Sequence, residues 1–323
     1  IPLFKKIVTL KTQVMKSKTI FEGVYPAVTT KFTNAGEIDF SWFEKNLSTQ
    51  IDAGIDGVVL GGTLGESSTL SLTEKNKLLS FTLQSVAKSI PVIMNVAEGS
   101  THDAIISAQT AEKLGANGLM LLPPMRYKSD ERETAKFFSE VANATNLPIM
   151  IYNNPVDYKV EVTLAVFESL TKLSNICAVK ESTRDISNVT RMINHFGDRF
   201  RILCGVDTLA MESLLMGAHG WVAGLCCAFP YETVAIYQLI KQGRTEEALT
   251  IYRWFLPLLE LDIHPKLVQY IKLAETLAGL GTETVRAPRL ELDKEERKQI
   301  AAIIEQHLAK RPKLPECKTQ ATY

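Results

Sequence analysis

The sequence predicts an α/β protein built as a (β/α)8, or TIM, barrel that carries a helical extension at its C-terminal end. Eight short apolar segments recur along the chain, and longer amphipathic stretches separate them. The apolar segments contain few polar positions, as expected for parallel strands that are buried on both faces. Eight strand–helix units in one series are typical of this barrel, which routinely occupies about 250 residues.

The eight strand candidates follow one another along the first two thirds of the chain. In order they are GVYPAVTT, GVVLGG, PVIMNV, GLMLLP, PIMIYNN, CAVKES, RILCGV and GWVAGL. Helical stretches such as SWFEKNLSTQIDAG lie between them, and several end at glycine or asparagine, as helix C-termini do. The main alternative is an open doubly wound sheet. Such a sheet usually has a GxGxxG turn after an early strand, and no such turn occurs in this sequence.

Four segments are predicted. Residues 1–18 are basic and contain no acidic residue, which is typical of a transit peptide or of an extension upstream of a start at Met15. Residues 19–229 are expected to form the barrel. Four more helical stretches follow, whereas a barrel needs one helix to finish, so residues 230–310 are expected to form a helical domain. Residues 311–323 are polar and are interpreted as a tail.

Composition excludes several classes of protein. The chain has 323 residues, 36 basic and 36 acidic, and a charge balance of zero argues against nucleic acid as the main partner. No apolar run reaches the roughly 18 residues of a membrane helix. The five histidines show no metal-binding spacing, and the five cysteines form no CxxC pair. We therefore expect a cytoplasmic protein with reduced cysteines and no metal.

Catalytic groups in this fold lie where the strands end, so candidate groups are expected at those positions. The second strand ends in GGTLGESSTLSLTEK. Its glycines allow sharp turns that expose backbone N–H groups, and its threonines and serines add hydroxyls. Together these groups can bind an anion such as a carboxylate. The alternative interpretation is a glycine-rich turn followed by an ordinary helix cap.

Three further strand ends carry candidate groups. Tyr152, in YNNP, can transfer a proton at the barrel mouth, or can simply pack its ring. Lys180 leaves an apolar strand, and burial lowers the pKa of a lysine so that its neutral amine becomes a nucleophile. The alternative is a lysine that pairs with Glu181 or another acid. Gly205 and Asp207 either touch a ligand or cap the next helix.

The four strand ends together are more informative about function than any one of them alone. An anion site, a tyrosine and a nucleophilic lysine are what a 2-keto acid or its cyclic imine requires. The anion site would hold the carboxylate, and the lysine would attack the carbonyl or imine carbon to form a Schiff base. The tyrosine would move protons during the following steps.

From Ile20 to Leu308 the sequence resembles the dihydrodipicolinate synthase/N-acetylneuraminate lyase superfamily of class I Schiff-base lyases. The motifs that carry the resemblance are GGTLGES, YNNP, AVKES and GVD, in the order and at the spacing of that family. The resemblance implies that Lys180 forms the Schiff base without any cofactor, that Tyr152 shuttles protons, and that Thr63 is its hydroxyl partner and a carboxylate contact. It also implies a homotetramer built as a dimer of dimers. The substrate-binding candidates are Gly62, Leu64, Gly65, Asn154, Gly205, Asp207 and Val222.

Three positions depart from the pattern of the synthase itself. Leu64 stands where the synthase usually has a second threonine. Arg126, followed by Tyr127, stands where it has a tyrosine that reaches a neighbouring active site. Asp157 stands where it has an arginine for the carboxylate of the second substrate, and an anion there reverses the electrostatics. These departures argue against a loop built to hold aspartate semialdehyde.

Other stretches resemble the deaminases of bacterial hydroxyproline breakdown, which act on 1-pyrroline-4-hydroxy-2-carboxylate. They are LPPMRYK, YNNPVDY, GWVAGL, YRWFLPLLELD, PKLVQYIKL and VRAPRL. That resemblance implies addition of Lys180 to the ring C=N carbon, loss of the 4-hydroxyl, and release of ammonia and 2-oxoglutarate semialdehyde. The substrate has a single carboxylate, so the missing arginine is no loss.

Alternative functions stay open at this stage. A dehydratase or an aldolase of 2-keto-3-deoxy sugar acids would use the same lysine, and Asp157, Tyr158 and Arg126 could bond sugar hydroxyls. The 4-hydroxy-tetrahydrodipicolinate synthase is a further enzymatic alternative. A non-catalytic ligand-binding barrel is the alternative from another class, and it predicts loss of the lysine or the tyrosine, both of which are present.

Overall fold

The computed structural model describes residues 20–124 and 127–316. Eight strands form one parallel sheet whose order, β1-β8-β7-β6-β5-β4-β3-β2, wraps around a centre. The backbone N–H of Val28 donates to the carbonyl of Val59 at 3.0 Å, which joins the two ends of the sheet and closes the barrel. The strands are β1 Gly23–Pro26, β2 Val58–Leu60, β3 Val92–Val96, β4 Gly118–Leu121, β5 Ile149–Asn153, β6 Ile176–Glu181, β7 Arg201–Cys204 and β8 Gly220–Ala223. The predicted (β/α)8 barrel and all eight strand candidates are confirmed.

Twelve helices are found in the described part of the chain. In order they are α1 Phe40–Asp52, α2 Leu72–Val86, α3 Thr101–Leu114, α4 Glu131–Asn143, α5 Pro155–Tyr158, α6 Leu164–Leu170, α7 Ser187–Phe196, α8 Ala210–Leu215, α9 Pro230–Lys241, α10 Thr245–Leu259, α11 Leu267–Leu277 and α12 Lys294–Ala309. Polar caps begin several of them. Ser71 and Glu74 form a capping box on α2, and Asp130 and Glu133 form another on α4.

Six strands are buried at every position, and β6 and β7 are nearly so, because helices cover the outside while side chains fill the inside. The helix α9, which the predicted boundary at residue 230 places in the extension, packs on β1, β8 and α1. The helices beyond it pack mainly on one another, α10 on α9 and α12, and α11 on α12. Within the described residues, no helix is long and apolar enough to cross a membrane.

Buried ion pairs join the extension to the barrel. Lys272 on α11 contacts Glu66 of the glycine-rich loop, with 2.5 Å between Nζ and Oε1, and both side chains are fully buried. Glu275, one turn further along α11, pairs with Lys31 at 2.7 Å in an equally buried position. Glu66 has φ of 55°, in the left-handed region that glycine favours. The conformation of the loop after β2 therefore depends on a helix from the other end of the chain.

The predicted segment 1–18 and residues 317–323 of the predicted tail lie outside the described residues. The remaining tail residues follow α12 without regular structure, and Arg311 pairs there with the buried Glu232. Three cysteines, Cys204, Cys226 and Cys227, have buried, unpaired thiols, and Cys177 is partly buried. Burial raises the pKa of the Cys177 thiol to about 11, so it remains protonated at neutral pH.

Candidate active site

The carboxyl ends of the strands surround a cavity of about 710 Å³, a volume that includes the open mouth. This size suits a small ligand. Most of the site residues predicted from the sequence line it, although they come from five different strand ends. They are Gly62, Thr63, Leu64, Tyr152, Asn154, Lys180, Gly205 and Val222.

Lys180 and Tyr152 lie side by side at the floor of this cavity. They are register partners on the parallel strands β6 and β5, so their side chains project from the same face of the sheet. The Nζ atom of Lys180 lies 4.1 Å from the centroid of the Tyr152 ring. Both residues are buried, with 7% and 8% of their surfaces exposed. A molecule that enters the cavity therefore meets the amine and the tyrosine together.

Gly205, at the end of β7, makes space for the lysine. A Cβ atom at this position would lie 2.6 Å from both Cγ and Cε of Lys180, and 2.2 Å from Oγ of Ser182. Real Cβ atoms do not approach other atoms so closely. The predicted role of Gly205 as a ligand contact is thus accompanied by a second role, which is to let the Lys180 side chain cross the barrel.

Burial governs the protonation of these groups. It lowers the pKa of the Lys180 amine, and this effect exceeds the opposing influence of the acidic groups nearby, among them Asp262 and Asp207. It raises the pKa of Tyr152 to about 12, although the hydrogen bond from Asn154 acts in the other direction. The site therefore makes the uncharged amine easier to form than it is in water, and this amine is the form that adds to a carbonyl carbon. The neighbouring phenol stays protonated at neutral pH.

Thr63 makes a different contact from the one expected. The resemblance implied that its hydroxyl pairs with Tyr152, but Thr63 Oγ1 lies 2.5 Å from the hydroxyl of Tyr158. The hydroxyl of Tyr152 instead accepts from Asn154 Nδ2 at 3.1 Å. The two tyrosine rings meet edge to face, with their centroids 5.5 Å apart. Because the short helix α5 turns the chain back over the cavity, Tyr158 comes between Thr63 and the Tyr152 ring.

Asn154 and Pro155 stabilise the conformation of the loop after Tyr152. The Asn154 side chain accepts from the backbone N–H of Asp157 at 3.2 Å and so caps α5, while Pro155 occupies the first helical position. Asn154 also donates to the Asp157 carboxylate at 2.7 Å. On its other side, Asp157 faces Arg184 across 3.9 Å. Asp157 therefore reaches the cavity wall as part of an ion pair.

The glycine-rich loop after β2, which is predicted to bind an anion, borders the cavity. Gly61 has φ of 64°, which lets the chain turn immediately after β2. Gly62, Thr63 and Leu64 then line the cavity. Among the described residues, none accepts a hydrogen bond from their three backbone N–H groups. Free N–H groups in a tight turn attract anions, so this loop is well suited to a substrate carboxylate.

Two residues that were predicted to contact the ligand, Gly65 and Asp207, do not line the cavity. Gly65 is packed under the loop, where a Cβ would lie 2.9 Å from the carbonyl oxygen of Val28. The carboxylate of Asp207 is fully buried and accepts hydrogen bonds from the Trp221 indole at 2.8 Å and from the backbone N–H groups of Gly224 and Leu225. It anchors the chain after β8 and does not line the cavity. Arg126 lies outside the described residues.

Several residues of the cavity wall were not predicted as site residues. Asp262, Ile263 and Leu267 come from the extension, and Ser182, Arg184 and Gly224 come from loops after β6 and β8. The sequence places Ser182 and Gly224 at the ends of two predicted strand segments, CAVKES and GWVAGL, and that position was a signal for both. No such signal marks Asp262, because only the packing of the extension brings that residue to the barrel mouth.

Together these groups can perform Schiff-base chemistry. The neutral amine of Lys180 can add to a carbonyl or imine carbon while the loop after β2 holds the adjacent carboxylate. Tyr152, with Thr63 and Tyr158 close by, can donate and accept protons at the carbon that reacts. A cavity arranged in this way defines a lysine-dependent lyase on a TIM barrel.

Comparison with known proteins agrees with this class. The sequence profile of the dihydrodipicolinate synthetase family matches residues 20–307. The chain therefore belongs to that family, whose members are class I Schiff-base lyases that use a lysine and no metal or other cofactor. The resemblance stated from the motifs is confirmed at this level.

Two relatives are both named 4-hydroxy-tetrahydrodipicolinate synthase. A 4-hydroxy-tetrahydrodipicolinate synthase of Exiguobacterium sibiricum is 33% identical over 276 residues, which is 84% of this chain and 92% of the relative. One from Methanococcus aeolicus is 30% identical over 291 residues, or 88% of this chain and 99% of the relative.

Solved structures show the same barrel. The 4-hydroxy-tetrahydrodipicolinate synthase of Methylacidiphilum fumariolicum superposes with a TM-score of 0.84 at 31% identity, covering 90% of this chain and 97% of the other. YagE, a prophage protein of Escherichia coli solved in complex with pyruvate, gives a TM-score of 0.85 at 26% identity, covering 90% and 99%.

Proposed function

We propose that the protein is a 1-pyrroline-4-hydroxy-2-carboxylate deaminase, which converts its substrate and water into 2-oxoglutarate semialdehyde and ammonia. Lys180 adds to the C=N carbon, the ring opens, and the 4-hydroxyl leaves. Hydrolysis then releases ammonia and the product. That the structure of YagE was solved with pyruvate supports a 2-keto acid or its cyclic imine as the substrate class.

One observation carries the choice of substrate. The only guanidinium that lines the cavity among the described residues, Arg184, faces the Asp157 carboxylate across 3.9 Å. A second substrate with its own carboxylate would have to compete with Asp157 for that cation and would be repelled by Asp157 itself. A substrate whose single carboxylate binds the loop after β2 avoids this conflict.

The second candidate is 4-hydroxy-tetrahydrodipicolinate synthase. The names of the relatives in Exiguobacterium sibiricum and Methanococcus aeolicus favour it. Arg184 favours it as well, because it supplies a cation at the cavity wall. This candidate requires Arg184 to leave Asp157 and bind the carboxylate of aspartate semialdehyde.

Ammonia release from 1-pyrroline-4-hydroxy-2-carboxylate tests the proposal. We expect rapid release by the wild-type protein and none by Lys180→Ala. Lys172→Ala, which removes an exposed lysine of the same barrel, serves as the matched control and should match wild type. Condensation of pyruvate with aspartate semialdehyde, without any ammonia release from the pyrroline, would instead identify the synthase.

We further propose that the protein acts in the cytoplasm as a homotetramer. Membership of the family supports this assembly, although one structure of similar fold is described as a monomeric dihydrodipicolinate synthase variant. Light scattering of the purified protein would distinguish a tetramer from a monomer.

A further inference from the structure

Asp262 is an acidic group of the cavity that the reaction described so far does not use. It lies in the short turn Glu260–Ile263, between α10 and α11. That turn packs against the turn Asp207–Leu209 at the end of β7. The extension thus carries a carboxyl group to the mouth of the barrel, where Asp262 lines the same cavity as Lys180.

The chain after β8 is shaped to receive this side chain. A Cβ atom at Gly224 would lie only 2.3 Å from Asp262 Oδ1, so the carboxyl group occupies the space that any other residue at position 224 would fill. Within the described residues, Asp262 forms no hydrogen bond and no ion pair. Its oxygens remain available to a ligand.

Several other polar groups of the wall are already engaged, whereas the Ser182 hydroxyl, like Asp262, has no hydrogen-bond partner among the described residues. Asp157 accepts from Asn154 and faces Arg184, and Tyr158 contacts Thr63. A substrate held by its carboxylate at the loop after β2 and by its second carbon at Lys180 must extend its remaining atoms toward the mouth, where Asp262 lies. Burial and the neighbouring Asp207 carboxylate raise the pKa of Asp262 well above its ordinary value, against the effect of Lys180.

We propose that Asp262 is the general acid that protonates the departing hydroxyl group of the substrate. This inference rests on the deaminase function proposed above, because that reaction requires loss of a hydroxyl β to the Schiff-base carbon. A carboxyl group that is neutral and hydrogen-bonded to this hydroxyl would turn a poor leaving group into water.

The step balances without any added reactant. Tyr152 relays a proton from the carbon next to the Schiff base to solvent, which gives an enamine. The electron pair of the enamine forms a double bond to the hydroxyl-bearing carbon, the C–O bond breaks, and the Asp262 proton moves to the oxygen, which departs as water. The lysine is again an iminium. Asp262 regains a proton from solvent through the open mouth, which replaces the proton released from carbon.

The experiment compares wild type with Asp262→Asn, and uses Glu260→Gln, an exposed acid of the same turn, as the matched control. Borohydride trapping of pyruvate on Lys180 shows whether each protein folds and forms a Schiff base. The second measurement mixes each protein with 1-pyrroline-4-hydroxy-2-carboxylate, quenches with borohydride, and determines the mass of the adduct.

We expect Asp262→Asn to trap pyruvate like wild type, to release ammonia about 10²–10⁴-fold more slowly, and to accumulate an adduct that keeps the hydroxyl group. Glu260→Gln should match wild type in each assay. Asp262→Ala provides a second variant without any hydrogen-bonding group and should show the same accumulation.

Two results would overturn the proposal and are distinguishable. If Asp262→Asn loses the hydroxyl as fast as wild type, Asp262 is not the acid, although the deaminase function stands. If wild type forms the adduct but neither dehydrates it nor releases ammonia, the deaminase function fails, and the role of Asp262 fails with it.

Discussion

Lys180 and Tyr152 are register partners on adjacent strands, and the amine of the lysine lies 4.1 Å from the centroid of the tyrosine ring. Parallel pairing of β5 and β6 is sufficient to produce this relationship, since both side chains leave the sheet on the same face. The contact places a proton-transfer group beside the carbon that would become attached to the lysine. Most of the expected behaviour of the site follows from it.

Replacement of Tyr152 by phenylalanine keeps the ring and removes only the hydroxyl. We expect kcat to fall by roughly 10²–10⁴-fold, the usual contribution of a positioned acid or base. Tyr237→Phe is a suitable control, because Tyr237 is another buried tyrosine, with its hydroxyl 3.3 Å from a backbone carbonyl outside the cavity. Steady-state assays of both variants provide the comparison, and a near-normal rate for Tyr152→Phe would remove its assigned role.

The hydrogen bond between Thr63 and Tyr158 should behave as one unit. We expect Thr63→Val and Tyr158→Phe each to slow turnover by about tenfold or more, and the double variant to be little slower than either single variant. Residues in direct contact show such non-additivity, whereas independent residues add. Measurement of kcat for the four proteins of this cycle tests the expectation, and strictly multiplicative losses would show that the two hydroxyls act separately.

Addition of one methyl group at Gly205 should displace the lysine. The new Cβ would lie 2.6 Å from Lys180 Cε, so the side chain has to move. A misplacement of this kind can cost about 100-fold in rate. We expect Gly205→Ala to show that loss in the rate of borohydride trapping of pyruvate. Circular dichroism should show an unchanged barrel, and trapping at the wild-type rate would mean that Lys180 has room to adjust.

The reactivity of Lys180 should depend on pH through its lowered pKa. The neutral amine is the nucleophile, so the trapping rate should rise with pH and level off once the amine is deprotonated. Because burial lowers this pKa, the midpoint of the rise should lie below the ordinary lysine value of about 10.4. A pH profile of trapping with pyruvate measures it. A midpoint at or above the ordinary value would contradict a lowered pKa.

The buried pair between Lys272 and Glu66 should be important for stability. Lys272→Met leaves the Glu66 carboxylate buried without its main partner, which costs about 3–5 kcal/mol. Urea unfolding should show this loss, and Glu66→Gln in the same chain should restore part of it. The matched control is Lys136→Met, which removes an exposed lysine paired with Glu140 within one helix and should unfold like wild type.

The barrel was predictable because its signals are local. Apolar segments of strand length alternate with amphipathic stretches, and parallel strands buried on both faces require that pattern wherever they occur. Lys180 and Tyr152 were predictable for a related reason. In this architecture the carboxyl ends of all strands meet at one face, so a position at the end of a strand already indicates a position in the site.

The sequence did not indicate which polar groups at those ends face the cavity. Gly205 lines it and Gly65 does not, although both follow strands. The Asp207 carboxylate accepts hydrogen bonds from the Trp221 indole and from the backbone after β8, so it does not face the cavity. Hydrogen bonds of this kind join segments far apart in the chain, so a local sequence pattern does not predict them. Tyr158 displaces Tyr152 as the partner of Thr63 for the same reason, since the turn of α5 decides which hydroxyl comes closer.

The family, the barrel and the candidate nucleophile can thus be predicted from the sequence, because each depends on residue types at fixed positions along consecutive strands. The tertiary structure alone decides the rest. Asp262 reaches the cavity because the extension packs against the turn after β7. Its carboxyl group then fits into the space that the missing side chain of Gly224 leaves. The loop that is proposed to bind the carboxylate takes its shape from Lys272 on a distant helix. Both depend on the way segments remote in sequence fill the same volume, and close packing determines that only in the folded chain.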